Sequence, residues 1–171
     1  MEKLFIPGPG GYDIPLLLQA SPEAKTAVLV VHGFGSDKYS STAQRMQAAL
    51  AEAGAGSCAL DLPAHGESPV DGRSLTVENA LGDLAAAEDL LRRQMPKAAI
   101  AFFGSSFGAY LTALYLARRP RQINPPRAVL RCAALTMPRL LSDELTPEHK
   151  RRLARGEGLL LEAYQIGRAH V

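Results

Sequence analysis

A chain of 171 residues, 47% hydrophobic and 21% charged, is long enough for one globular domain with a sizeable buried core. Its net charge of +2, from 19 basic and 17 acidic residues scattered along the sequence, gives no nucleic-acid surface and no polybasic membrane patch, so a partner has to be read from a site. The opening MEKLFIPGPGGYD turns to Pro and Gly before any apolar run of signal-peptide length, and nothing later approaches a membrane span, which makes the cytoplasm the expected compartment.

Residues 11–20 (GYDIPLLLQA) and 26–31 (TAVLVV) read as strands separated by a turn at Ser21 and Pro22. The second is apolar on both faces, as a central parallel strand requires. SSTAQRMQAALAEAG predicts a helix, with Ser41 and Gln44 spaced as a capping box, an apolar stripe through Met46 and Leu50, and a stop at Gly54. The strand SCALDL follows. A long helix through LTVENALGDLAAAEDLLRRQM repeats apolar residues at Val77, Leu81, Leu84, Leu91 and Met95, with Glu88 facing Arg92 and Asp89 facing Arg93 on its wet side. After Pro96 come strand AAIAFF, an apolar helix through AYLTALYLA, and strand RAVLRCAAL. Strands alternating with helices predict an α/β fold with a mostly parallel sheet flanked by helices. Cys58 and Cys132 lie in strand-like runs, where reduced, buried thiols are expected. From Met137 onward the pattern turns charged and helical, in the manner of a lid or an insertion.

AFFGSSFGAY, residues 101–110, sets two serines between two glycines at a strand-to-helix junction. The frame Gly-x-Ser-x-Gly fits only on Gly104, Ser106 and Gly108, because centring it on Ser105 puts Phe103 and Phe107 where glycines are needed. A serine lifted off the end of a buried strand needs a sharp, strained turn, and side chains two positions away would collide with the neighbouring strand and helix. A plain serine N-cap would leave both glycines unexplained. Ser106 is therefore the candidate nucleophile. Acyl transfer also needs donors for an oxyanion, and VVHGFGSDK, residues 30–38, supplies glycines at the end of a central strand. The backbone amides of Phe34 and Phe107 are the candidate pair.

VVHGFG, DLPAHGES and GSSFG, in this order between strands, resemble the α/β-hydrolase fold family, especially its lidded esterases and serine aminopeptidase-like members. The resemblance covers about residues 10–135. It implies Ser106 as nucleophile, Phe34 and Phe107 as oxyanion donors, and a cap beginning after Leu135. It also implies a structural role for DLPAHGES. Asp61, His65 and Glu67 of that loop are not read as metal ligands, since Pro63 and Gly66 forbid the helical spacing such a site uses. GPGG at 8–11 precedes a strand rather than a helix, so it is no phosphate cradle. No metal and no cofactor is expected.

In this fold the acid and the histidine follow the nucleophile in chain order, which leaves His149 and His170. His149 sits in the charged TPEHKRR and reads as a solvated surface residue. His170 belongs to IGRAHV, which matches a translated sequencing adapter, ATC GGA AGA GCA CAC GTC TGA, down to the stop; the preceding codon must then end in AG, and Gln165 satisfies this. Residues 165–171 are accordingly expected to be a non-native tail, residues 1–136 the N-terminal part of an incomplete α/β-hydrolase core, and 137–164 the start of a helical cap. Acid and histidine would lie beyond the cut, with Asp143 or Glu144 a weaker stand-in for the acid. The expected activity of the complete protein is hydrolysis of a small-molecule ester through an acyl-enzyme on Ser106, this chain alone being inactive. Acyl transfer, amide hydrolysis and ligand binding without catalysis are the alternatives. The acyl-chain size and the oligomeric state are not encoded in these motifs.

Overall fold

The computed structural model describes residues 1–119, 127–135 and 145–155, and the chain divides into two units, Met1–Ala134 and Leu135–Val171. In the first unit six strands form one sheet: β1 (Glu2–Pro7), β2 (Asp13–Gln19), β3 (Thr26–Val31), β4 (Gly56–Leu60), β5 (Ala99–Ser105) and β6 (Arg127–Arg131), in the order β1-β2-β4-β3-β5-β6. β1 and β2 make an antiparallel hairpin and β2 runs antiparallel to β4, while β4, β3, β5 and β6 are mutually parallel. The mostly parallel sheet flanked by helices is therefore as the alternating pattern predicts.

Among the described residues three α-helices pack on the sheet: α1 (Ser41–Glu52), α2 (Val77–Gln94) and α3 (Phe107–Ala117). Alternation along β3 explains why its sequence is apolar throughout. Leu29 and Val31 face a core shared with Leu84 and Leu91 of α2 and Leu111 of α3, whereas Val28 and Val30 face Ala43, Met46 and Leu50 of α1. The N-caps of α1 and α2 are side-chain hydroxyls. Ser40 Oγ accepts the Ala43 amide at 3.4 Å, so the α1 cap stands one residue before the predicted Ser41, and Thr76 Oγ1 accepts the Asn79 amide at 3.1 Å.

Several features depart from the sequence reading. β1 is an additional edge strand, with its side chains half-buried only at alternate positions, Leu4 and Ile6. Glu88 does pair with Arg92 but is buried rather than wet, because Tyr115 and Arg119 reach over it from the α3 side at 2.8 Å each. The last strand stops at Arg131, and Val129 and Leu130 are 61% and 39% exposed. Cys132 is consequently exposed, one residue past the strand, while Cys58 is buried and its thiol is pushed up to about 12 by that burial. Both are free, and the strands that carry or precede them stand three places apart in the sheet, roughly 14 Å.

In the second unit the described residues form one helix, α4 (Pro147–Ala154), with Arg151 and Glu148 paired at 3.3 Å. Among the described residues no helix is long and apolar enough to cross a membrane.

Candidate active site

β5 ends at Ser105 and α3 begins at Phe107, so Ser106 alone makes the turn. Its φ of 52° and ψ of −115° lie where a residue with a Cβ is strained, typically by about 1–3 kcal/mol. Three backbone bonds hold it there: its amide donates to the Arg131 carbonyl at 2.8 Å, and its carbonyl accepts from Tyr110 at 3.1 Å and Ala134 at 3.3 Å. The side chain makes no cap bond to the helix, and the residue is exposed. Ser105, by contrast, is half-buried, and its hydroxyl accepts from Arg131 Nη1 at 3.2 Å.

The two flanking glycines are required by close approach. A Cβ on Gly104 would lie 2.6 Å from Ala109 Cα, and one on Gly108 would lie 2.5 Å from the Val31 carbonyl oxygen and closer still to that of His32. The first turn of α3 therefore packs directly on the end of β3. On the other side of this contact, a Cβ on Gly33 would sit 3.3 Å from Ser106 Cβ. HGFG is thus brought against the turn that carries Ser106. The rings of Phe34 and Phe107 meet edge to face at 5.9 Å, and Phe34 remains 38% exposed. Among the described residues neither the Phe34 amide nor the Phe107 amide has an acceptor.

The loop that carries Phe34 is fastened to DLPAHGES by polar side chains. Lys38, fully buried, bonds Asp61 Oδ2 at 2.5 Å and Glu67 Oε2 at 2.6 Å, and Lys3 holds the outer Glu67 oxygen. Burial opposes the Lys38 charge, but the hydrogen bonds to Asp61 and Glu67 outweigh it and raise its affinity for the proton. Asp61 also accepts the Lys38 and Glu67 amides, each at 2.8 Å. His32 Nε2 accepts the Leu62 amide at 3.0 Å, and His65 Nε2 accepts the Gly35 amide at 3.0 Å. Since a backbone amide can only donate, both rings carry their proton on Nδ1, where His32 reaches the Gly33 carbonyl at 2.7 Å and His65 the Pro63 carbonyl at 2.8 Å. Burial holds His32 near 4, so it is neutral around pH 7.

Asp61, His65 and Glu67 therefore have their polar atoms committed to protein partners. Among the described residues no cluster of three or more His, Cys, Asp or Glu suited to a metal forms. A small cleft of about 120 Å³ runs beside Ser105, Ser36 and Thr42, on the α1 side of the sheet. Its size is below that of ordinary ligand pockets, and Ser106 does not line it. Among the described residues no side chain hydrogen-bonds the Ser106 hydroxyl. His149 lies on α4 in the second unit, half-buried rather than fully solvated. His170, Asp143 and Glu144 fall outside the described residues. The residue that sequence reasoning missed is Lys38, which looks like an ordinary loop lysine until Asp61 closes over it.

A family described as serine aminopeptidase, S33, matches residues 22–170. No curated protein sequence matches the chain. Among solved structures, Est1E from Butyrivibrio proteoclasticus with bound ferulic acid is similar with a TM-score of 0.73 at 18% identity, over 95% of this chain and 61% of its own. A protein of Agrobacterium vitis S4 gives 0.72 at 23% identity, over 90% and 60%. The Pyrococcus furiosus esterase Pf2001 gives 0.64 at 21% identity, over 77% and 51%. The chain thus spans about 60% of the length of the first two structures.

Proposed function

The chain belongs to the serine aminopeptidase S33 family of α/β hydrolases, and from that premise we propose that it carries the nucleophile and oxyanion half of a serine ester hydrolase, acting through an acyl-enzyme on Ser106. The observation that carries this reading is the backbone of Ser106: strained, exposed and uncapped, with HGFG against it. Strain of this kind persists only where the surroundings enforce it, and here two glycines and three backbone bonds do so.

In the proposed reaction Ser106 Oγ attacks the ester carbonyl carbon while a histidine takes the hydroxyl proton. The carbonyl oxygen becomes an oxyanion between the Phe34 and Phe107 amides, each such donor being worth about 3–4 kcal/mol of barrier. The histidine then protonates the departing alcohol, and water, activated by the same histidine, releases the acid. We place that histidine and its carboxylate in sequence beyond Tyr164 of the uninterrupted gene, residues 165–171 being the non-native tail and 137–164 the start of a cap. The family's description as an aminopeptidase keeps amide hydrolysis as the second reading.

Two assays test this. The 171-residue chain is expected to hydrolyse short-chain aryl esters no faster than its Ser106→Ala variant, whereas the uninterrupted gene product shows an acyl-enzyme burst that Ser106→Ala abolishes. Ordinary enzymatic turnover by the short chain, abolished by Ser106→Ala, would place the base within it and overturn the truncation. A burst that survives the substitution in the long form would overturn the nucleophile.

A further inference from the structure

Phe34 is bracketed by two imidazoles. The peptide on its N-terminal side, between Gly33 and Phe34, is held by its carbonyl, which accepts Nδ1–H of His32 at 2.7 Å. The peptide on its C-terminal side, between Phe34 and Gly35, is held by its amide, which donates to Nε2 of His65 at 3.0 Å. Each ring is anchored on the DLPAHGES loop: His32 by the Leu62 amide at 3.0 Å, and His65, itself part of that loop, by the Pro63 carbonyl at 2.8 Å. The two rings lie 5.3 Å apart, and His65 also meets the Phe34 ring edge to face at 5.3 Å.

The bracket determines where the Phe34 amide points. In a trans peptide the N–H lies opposite the C=O, and among the described residues no peptide is cis. Pinning the Gly33 carbonyl on His32 therefore turns the Phe34 N–H away from His32. Gly33 itself lies against Ser106, 3.3 Å from its Cβ to a Cβ built on the glycine. Fixing both peptides removes the rotation by which a glycine-flanked loop would otherwise turn that donor aside, and preorganised donors are what oxyanion stabilisation depends on.

We infer that His32 and His65 are positioning residues: as neutral Nδ1–H rings they clamp the two peptides flanking Phe34 and so aim its amide at the oxyanion formed on Ser106. The catalytic meaning rests on the reading of Ser106 as nucleophile, but the clamp is a ground-state arrangement that can be measured without turnover.

The test uses the full 171-residue chain, labelled with nitrogen-15. Scalar couplings across the hydrogen bonds are expected between the Gly35 amide and His65 Nε2 and between the Leu62 amide and His32 Nε2. In His65→Ala the Gly35 amide is expected to exchange at least about tenfold faster, and the residual dipolar coupling of the Phe34 N–H to change as that bond reorients. The Lys38 amide, held by Asp61, keeps its protection. His65→Gln, whose side-chain carbonyl can accept the Gly35 amide, restores both values. The inference is overturned if the couplings are absent, if the Phe34 N–H keeps its direction after Gly35 is released, or if Lys38 loses protection together with Gly35. Ser106→Ala leaves all of these signals in place, so a failure of the nucleophile reading in the ester assay is distinguishable from a failure of the clamp.

Discussion

The turn at Ser106 and the loops after β3 and β4 lie side by side and are held in opposite ways. At Ser106 nothing polar from a side chain is involved: Gly104 and Gly108 let backbone meet backbone, and main-chain bonds do the rest. In the loops, main-chain turn bonds such as Ser36 to Gly33 and His65 to Leu62 are joined by a network of side chains, Lys38, Asp61, Glu67, His32 and His65, that ties one loop to the other. The strained turn at Ser106 therefore fails when an atom is added, and the HGFG loop fails when a polar group is taken away.

The largest expected effect breaks the loops. Lys38→Met leaves Asp61, which has no exposed side-chain surface, without its counter-ion, and removing one partner of a buried pair typically costs about 3–5 kcal/mol. Urea unfolding measures this directly. A loss below about 1 kcal/mol would mean that the loops are not fastened by charge. Next comes Gly108→Ala, whose Cβ would lie 2.5 Å from the Val31 carbonyl oxygen; overpacking against backbone that cannot rotate away costs about 1–3 kcal/mol and displaces α3 from β3. An unaffected unfolding midpoint would show that the junction has room to spare.

The smallest effect concerns pH, because two buried groups act in opposite senses. His32 falls from 6.5 unfolded to about 4 folded, so between those values the unfolded chain binds the proton that the fold refuses. Stability is then complete above about pH 6.5 and drops by up to about 3 kcal/mol as pH falls to 4. Asp83, buried under the Tyr12 hydroxyl at 3.0 Å, rises from 3.8 to about 6 because burial penalises its charge. The fold binds that proton first, so its contribution rises as pH falls through the same window. Stability measured from pH 7 to 4.5 is expected to drop more steeply in Asp83→Asn than in the parent, and less steeply in His32→Gln. Parallel curves for all three would remove the titration of both groups from the account of acid stability.

The same contrast explains what the sequence disclosed. The turn at Ser106 is written in residue type at fixed short spacing, and glycine at 104 and 108 has one steric meaning beside a strand and a helix. The apolar run of β3 similarly announces burial on both faces. The loop fastening joins residues far apart in sequence, such as Lys38 and Asp61, and no local periodicity records such a pair. Glu88 misled for that reason: the (i, i+4) spacing to Arg92 is a surface signal, yet Tyr115 of α3 and Arg119 just past its end reach over and bury it. Cys132 misled because RAVLRCAAL is apolar enough for a longer strand, whereas the chain turns at φ 48° after Arg131 so that the Ala134 amide reaches the Ser106 carbonyl. β1 is as long as β3, but it was hidden by its short apolar content and by the prolines and glycines that follow it.

The most direct test of Ser106 as the nucleophile is peptide mapping after fluorophosphonate treatment of the uninterrupted gene product. A nucleophile at this turn predicts a single phosphonylated serine at position 106, lost in Ser106→Ala and retained in Ser105→Ala. Label on Ser105, or an unlabelled Ser106 in a protein that hydrolyses esters, would contradict it.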